Sequence, residues 1–438
     1  MGNINSQALQ KKAKKYIPGM SQLLSKRPDM FSLGVWPGYY SKAEGVKVWD
    51  LDGNVYIDMS IGGIGANVLG FADPDVNAAV IEAVERGSSS SLNCPEEVAL
   101  AEELCQMHPW AQMVRFARSG GESMAVAVRI ARAHTGRDLA VICGYHGWHD
   151  WYLAANIGTE NALGEHLIPG LSPIGVPRAL IGTTLVFRYN DIGSLKKIVA
   201  KNVDRIAAIV MEPVRNVQPN PGFLQGVRQL ADKAGAVFII DEISSGFRVN
   251  CGGAHLLYGV KPDIAVFSKA MGNGFPIAAV IGRAAVMESA QKSFISSTMW
   301  TERIGPVAAL ATIKKFKAVK AHEHLMILGR SVQEGWKLAG KRHGVPIKIS
   351  GIYPLSHFIF DDKEHAVMKA FFVQEMLAKG FLASNLFYSM FAHTKEHVAE
   401  YFTAVNEVFG HIRQLKDTGG LRAALKGEPS ASGFKRIT

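Results

Sequence analysis

The hydrophobic positions change rhythm along the chain. From Asp75 to Arg86, Val76, Ala79, Val80, Ala83 and Val84 recur at three- and four-residue spacing, which predicts an amphipathic helix; Glu96 to Met107 repeats the pattern. Leu139–Cys143, Ile206–Met211, Val237–Ile240 and Ile264–Phe267 are unbroken apolar runs instead. Such runs predict parallel strands covered on both faces. One amphipathic helix, Gly222 to Lys233, separates the second run from the third. The βαβ rhythm from about residue 74 to 315 therefore predicts an α/β domain with a mostly parallel sheet flanked by helices.

Outside that stretch the pattern differs. Val46–Asp50 and Asn54–Asp58 flank Asp52-Gly53, a hairpin signal. The first 45 or so residues hold Pro18, Gly19, Pro28, Gly34, Pro37 and Gly38 and read as irregular. After about residue 320 helices lengthen between a few strands, and this piece is expected to join the hairpin in a smaller α+β domain built from both chain ends. The expected divisions are 1–73, 74–318 and 319–438, with a loose Gly-, Ser- and Lys-rich tail of about twenty residues.

Composition narrows the class. With 438 residues, 48% hydrophobic and 20% charged, the chain can bury a large core and is not disordered. No apolar run approaches the roughly 18 residues of a membrane span, and Met1 to Tyr16 is polar and basic, unlike a secretory signal. Cys94, Cys105, Cys143 and Cys251 are scattered, which argues against a zinc site or disulfide framework and for a reducing cytoplasm. The net charge of +10 is diffuse, which suits phosphates and carboxylates better than nucleic acid. Its one dense cluster, Lys11, Lys12, Lys14 and Lys15, reads as the solvated face of an N-terminal helix. Met1-Gly2-Asn3-Ile4-Asn5-Ser6 fits a loose acylation pattern, read as coincidence.

Ligands of an open parallel sheet bind at the carboxyl ends of its strands, and four stretches there carry chemistry. Arg118-Ser119-Gly120-Gly121-Glu122-Ser123 follows Val114–Phe116 and opens a helix, so glycines and a helix start can cradle a phosphate, or form only a tight turn. Cys143 through Asp150 offers the Tyr145 ring for stacking on a flat heterocycle; His146 and His149 lack a third ligand and are not read as a metal site. Asp241 leaves a buried strand, where a carboxylate needs a partner: a protonated pyridine nitrogen, a helix cap or a salt bridge. Lys269 follows Ile264–Phe267, where partial desolvation favours a neutral, nucleophilic amine, with Gly272 and Gly274 leaving room for an adduct. Together they supply what pyridoxal 5′-phosphate (PLP) needs: a phosphate cradle, a ring stacker, an acid for the ring nitrogen and an amine for the Schiff base.

At this point the chain resembles a known family. Trp49 to Asp58, Ser119-Gly120-Gly121-Glu122, Tyr145-His146-Gly147, Met211-Glu212-Pro213-Val214, Asp241-Glu242-Ile243 with Gly246-Phe247-Arg248, and Pro262-Asp263 through Lys269 are similar to the class III aminotransferases of PLP fold type I. The glutamate-1-semialdehyde aminotransferase branch is nearest, and the resemblance runs from about residue 40 to 410. It implies Lys269 as the Schiff-base lysine, Asp241 at the pyridine nitrogen, Tyr145 and Ile243 on the two ring faces, and Ser119, Gly120 and Gly121 at the phosphate. It also places His146, Glu212 and Glu242 near the cofactor and Asn216 toward the ring hydroxyl. A threonine from a second copy would complete the phosphate site, Thr298 first and Thr301 second, hence a homodimer with shared active sites.

Gly121 stands where the family commonly has threonine, so a hydroxyl contact to the phosphate is lost and affinity rests more on backbone. Asn385–Ser389 lacks an acid and Trp300–Arg303 replaces a Ser-Gly-Asn run, which turns the expectation away from glutamate-1-semialdehyde as substrate. The reaction expected is transfer of an amino group from a donor to a small carbonyl acceptor. Trp36 and Arg248, with Glu242, would suit a polar anionic acceptor such as a keto-sugar derivative. An aminomutase, or a decarboxylase or epimerase on the same scaffold, is the alternative. A non-catalytic assembly partner would have no use for Lys269 and Asp241.

Overall fold

A computed structural model of the protein describes residues 4–166, 169–214 and 216–431. The start of the acylation-like pattern, Met1-Gly2-Asn3, and the last part of the expected loose tail, 432–438, lie outside the described residues. The chain divides into two units: Pro74–His322 forms one, and the described residues up to Asp73 with those from Glu323 onward form the other. Among the described residues no helix is long and apolar enough to cross a membrane.

Strands are numbered along the chain. Those of the smaller unit's hairpin region are β1 (Tyr40–Glu44), β2 (Lys47–Asp50) and β3 (Val55–Met59). The large unit holds β4 (Met113–Ala117), β5 (Leu139–Cys143), β6 (Thr184–Val186), β7 (Ile206–Met211), β8 (Val237–Asp241), β9 (Ile264–Phe267) and β10 (Ala278–Gly282). The C-terminal part adds β11 (Ile347–Ser350), β12 (Leu355–Phe360), β13 (Phe381–Ala383) and β14 (Leu386–Tyr388).

In the large unit seven strands form one sheet, in the order β4-β10-β9-β8-β7-β5-β6. Only β10 is reversed, and it lies antiparallel to both β4 and β9. The other six strands therefore share one direction, and their carboxyl ends fall along one edge. The apolar runs alternate between two covered faces, as strand geometry requires. Val237 and Ile239 of β8 pack with Met124, Val128 and Ile130 of the helix Gly120–Thr135, while Phe238 and Ile240 pack with Leu224, Val227 and Ala231 of the helix Phe223–Ala234. Register then sets Cys143 beside Met211 and Met211 beside Ile240, so Gly144, Glu212 and Asp241 leave neighbouring strands almost level.

In the other unit the order β1-β2-β3-β13 joins both chain ends, because β13 pairs with β3 in parallel, Phe381 opposite Ile57. A second sheet, β11-β12-β14, completes it. The hairpin turn at Asp52-Gly53 forms, with Gly53 at φ +80°. Within the stretch read as irregular, Ile4–Tyr16 is the helix that the lysine cluster suggests, and its first N–H groups, at Asn5 and Ser6, donate to the Asp52 carboxylate at 2.8 and 3.1 Å. That cap lies some 47 residues away in sequence, so no local signal reveals it. The four lysines are exposed on this helix. The tail is tied down as far as it is described, with Glu428 and Ala431 donating to the carbonyls of Leu33 and Asp29.

The core of this unit centres on Trp336, Tyr401, Phe358, Phe372 and Phe409, and the fully buried Trp336 indole N–H donates to the Tyr401 hydroxyl at 2.9 Å. Replacing Trp336 by alanine should lower stability by about 3–5 kcal/mol, because it leaves a cavity and an unpaired buried hydroxyl. An earlier urea midpoint is the expected readout, and an unchanged midpoint contradicts this packing.

Candidate active site

The site is built from what stands after the strand ends of the large unit. Strand β9 is wholly buried and delivers Ser268 and then Lys269. Lys269 is held at φ +46°, a left-handed conformation that costs a side-chain-bearing residue about 1–2 kcal/mol. The flanking contacts impose it: Ser268 Oγ donates to the Ile277 carbonyl at 3.0 Å, and Ala270 and Met271 are buried without exposure. Half-buried, the Lys269 ammonium donates to Ser244 Oγ at 2.8 Å. Ser244 belongs to the loop that follows β8.

Asp241 ends β8 and is 2% exposed. One carboxylate oxygen accepts the Ile243 N–H at 3.0 Å and the other lies 2.8 Å from His146 Nδ1. Burial pushes the Asp241 carboxyl above the ordinary carboxylate range, and the hydrogen bond from His146 opposes that push. A positive partner at this carboxylate would stabilise the charged form further.

Strand β4 leads into Ser119 and the helix Gly120–Thr135. The Glu122 carboxylate accepts the N–H groups of Arg118 and Ser119, at 2.9 and 3.3 Å. The N–H groups of Gly120 and Gly121 have no carbonyl one turn back and suit an anion. Both glycines are needed for room: a Cβ at Gly120 would lie 2.9 Å from Ile243 Cδ1, and one at Gly121 would lie 3.3 Å from His149 Nδ1. After β5, the Tyr145 N–H donates to Glu212 at 3.0 Å. Gly144, at φ +121°, passes so close that a Cβ would sit 2.7 Å from the same Glu212 oxygen. Beyond Glu212, Arg188, His166 and the exposed Asn216 line a cavity of about 310 Å³ at the ends of β5, β6 and β7.

The structure thus brings Lys269, Asp241, His146, Tyr145, Glu212, Ile243 and the Ser119–Gly121 turn to one edge of the sheet. Two expectations are corrected. Glu242, expected to meet substrate, follows Asp241 and so faces the other way. It is wholly buried, accepting from the His255 N–H and Nδ1 at 2.8 and 2.7 Å and from Ser245 Oγ at 2.5 Å. The Trp110 indole donates to His255 Nε2 at 3.1 Å, so the His255 proton sits on Nδ1. The Glu242 carboxyl is held below its ordinary range because hydrogen bonds from His255 and Ser245 act together against the opposing cost of burial. Arg248, also expected at the substrate, is 1% exposed, and its Nε donates to the Ser244 carbonyl at 2.7 Å. It braces the loop that receives Lys269.

Trp36 lies in the other unit, where its ring stacks on Phe31 at 4.0 Å. Thr298 and Thr301 are exposed on a short 3₁₀ turn, anchored where Arg118 donates to the carbonyls of Trp300 and Glu302, both at 2.8 Å. Reading along the sequence misses Ser244, whose contact with Lys269 spans 25 residues, and the place of His149 beside Gly121.

A single reversed strand in an otherwise parallel seven-stranded sheet, with a second α+β unit drawn from both chain ends, is the plan of the fold type I transferases that work with PLP. Known proteins carry this to a family. Residues 34–409 match the family model described as aminotransferase class-III. The 3-aminobutyryl-CoA aminotransferase of Cloacimonas acidaminovorans (strain Evry) is 31% identical over 425 residues, 94% of this chain and 98% of that one. Among solved structures, the PLP internal aldimine form of FumI from Sphingopyxis sp. MTA144 superposes with a TM-score of 0.86 at 23% identity, covering 98% and 99% of the two chains. A transaminase with PLP bound gives 0.84 at 26% identity, covering 94% and 99%. The chain belongs to the class-III aminotransferase family; it is a PLP-dependent enzyme of amino transfer.

The residues present fit that cofactor. A glycine turn at a helix start suits its phosphate, a buried carboxylate lacking a full complement of charge suits its ring nitrogen, and an amine stands at the neighbouring strand end. When bound, PLP supplies an electron sink conjugated to the carbon that carries the nitrogen. The depressed Glu242 titration carries a sign. The stability Glu242 adds is complete above the ordinary carboxylate range and is lost as pH falls through its lowered folded value. Glu242→Ala should therefore destabilise the protein by about 3–5 kcal/mol near neutral pH, by a margin that shrinks on acidification, with KM for the amino donor unchanged. Unchanged stability with a raised KM would return Glu242 to the substrate.

Proposed function

We propose that this class-III aminotransferase moves an amino group to and from carbon 3 of an acyl compound, with the 3-keto compound as acceptor. The near full-length likeness to 3-aminobutyryl-CoA aminotransferase carries this reading. The arginines near the turn and loop support it. Arg118 pairs with Glu302 at 3.0 Å, Arg303 with Glu96 at 2.6 Å, and Arg248 is enclosed, so these three are already engaged rather than free to clamp a carboxylate beside the reacting carbon. Arg188 is held more loosely, 3.7 Å from Glu165 with both side chains 69% exposed at the rim of the 310 Å³ cavity, where it can exchange that partner for an anionic group remote from the reaction. A β-keto acyl acceptor replaces the keto-sugar expected from charge alone, while keeping the anionic character.

In this reading Lys269 Nζ would hold the cofactor at its aldehyde carbon and would carry a proton at the reacting carbon when not so engaged. Ser244 orients that amine. Asp241 holds the proton on the ring nitrogen and His146 orients Asp241. Tyr145 and Ile243 pack the ring faces, Ser119, Gly120 and Gly121 hold the phosphate, and Glu212 and Asn216 line the hydroxyl side. A second copy of the chain completes the site through Thr298 or Thr301. The exposed Phe294 and Met299 of the same segment, 89% and 59% accessible, favour such a covered surface. Four free cysteines suit a reducing cytoplasm.

The yellow holoprotein should lose its visible band when 3-aminobutyryl-CoA is added and regain it with acetoacetyl-CoA. Recovery only with a keto-sugar, release of carbon dioxide, or return of the substrate's own nitrogen would overturn the reading. Arg188→Ala should raise KM for the thioester about tenfold while kcat holds. Light scattering should give about twice the 47.5 kDa chain mass; a monomer with full activity contradicts the shared site.

A further inference from the structure

Gly121 has no backbone reason to be glycine. It sits in the first turn of the helix Gly120–Thr135 and is absent from the positive-φ glycines of the chain. A glycine inside a helix costs about 1 kcal/mol against alanine. Space explains it. A Cβ at this position would meet His149 Nδ1 at 3.3 Å, His149 Cε1 at 3.4 Å and Gly147 Cα at 3.4 Å. Gly147, at φ +99°, is pressed closer still, since a Cβ there would lie 2.6 Å from Gly121 Cα. Two glycines thus yield to bring the imidazole of His149 against the turn whose N–H groups suit an anion.

That imidazole is set for a ligand. Its Nδ1 is buried and has no hydrogen-bond partner among the described residues. The exposed Trp148 stacks on its ring at 4.4 Å and 25°. A buried ring nitrogen without a partner is costly unless something supplies one. The fold sets Gly121 of the anion turn against Nδ1. A phosphate is acceptor-only, so Nδ1 would carry the proton and donate. Burial holds the His149 pKa low against the pull of Glu122 and Asp150, and an anion at Nδ1 would reverse that tendency.

We infer that His149 is a ligand of the cofactor's phosphate group, standing where a side chain at position 121 would otherwise reach. The inference rests on the assignment of PLP to this site. It gives the Tyr145–Asp150 segment two contacts with one molecule. Tyr145 meets the ring and His149 the phosphate, so a single loop after β5 grips both ends of the cofactor.

The test compares PLP with pyridoxal, which lacks the phosphate, in equilibrium titrations of cofactor-free protein. His149→Ala should weaken PLP binding about 10- to 100-fold and leave pyridoxal binding unchanged. Gly121→Ser in the His149→Ala background, where the crowding atoms are gone, should restore much of the loss, while Gly121→Ser alone should weaken PLP. Equal losses for PLP and pyridoxal, with no recovery in the double variant, would make His149 a packing residue and overturn the inference. So would a His149→Ala protein that binds PLP as the wild type does. A wild-type protein that takes up neither compound would overturn the cofactor assignment as well.

Discussion

Asp241 is a carboxylate carried to the end of a strand covered on both faces and deprived of water there. Burial makes its charge costly, and the hydrogen bonds from His146 and the Ile243 N–H offset only part of that cost. The remainder is a standing preference for a cation at the same place, a preference that a protonated pyridine ring would meet in the proposed reading. Much of the large unit serves to maintain it: the six co-directional strands, the level ends of β5, β7 and β8, and the cores on either face that keep water from the carboxylate.

The loop after β8 turns the constraint into a geometry for chemistry. Glu242 points away from the cofactor side and is locked by His255 and Ser245, and Arg248 holds the Ser244 carbonyl from beneath. Ser244 is then fixed enough for its hydroxyl to receive the Lys269 amine, although Lys269 comes from another strand and holds its position at the cost of a left-handed backbone. Acid and amine are therefore held by one short loop, so a change in either brace reaches both.

The fold is largely legible in the sequence because both faces of the sheet are covered. Continuous apolar runs such as Val237–Ile240 are what a doubly covered strand requires, and residues after such runs are natural site candidates. Side-chain direction is less legible. Glu242 beside Asp241 suggests a shared role, yet the two-residue period of a strand sends neighbours to opposite faces. Arg248 follows Phe247 at φ +56°, a turn that no residue type announces. The cap of the helix Ile4–Tyr16 is hidden, because Asp52 arrives from the distant hairpin. Ser244 is hidden for a similar reason, since its partner comes from the next strand. In sequence Gly121 reads as a lost hydroxyl; only the fold reveals the imidazole of His149 beside it.

The central claim is that Lys269, among the lysines of this chain, carries the cofactor. Reducing the holoprotein with borohydride fixes the cofactor covalently to its lysine, and proteolysis with mass spectrometry locates it. The account predicts a single pyridoxyl group on the peptide containing Ser268-Lys269-Ala270 and none on that peptide in Lys269→Ala. A pyridoxyl group on a different lysine, in protein that retains amino-transfer activity, would contradict it.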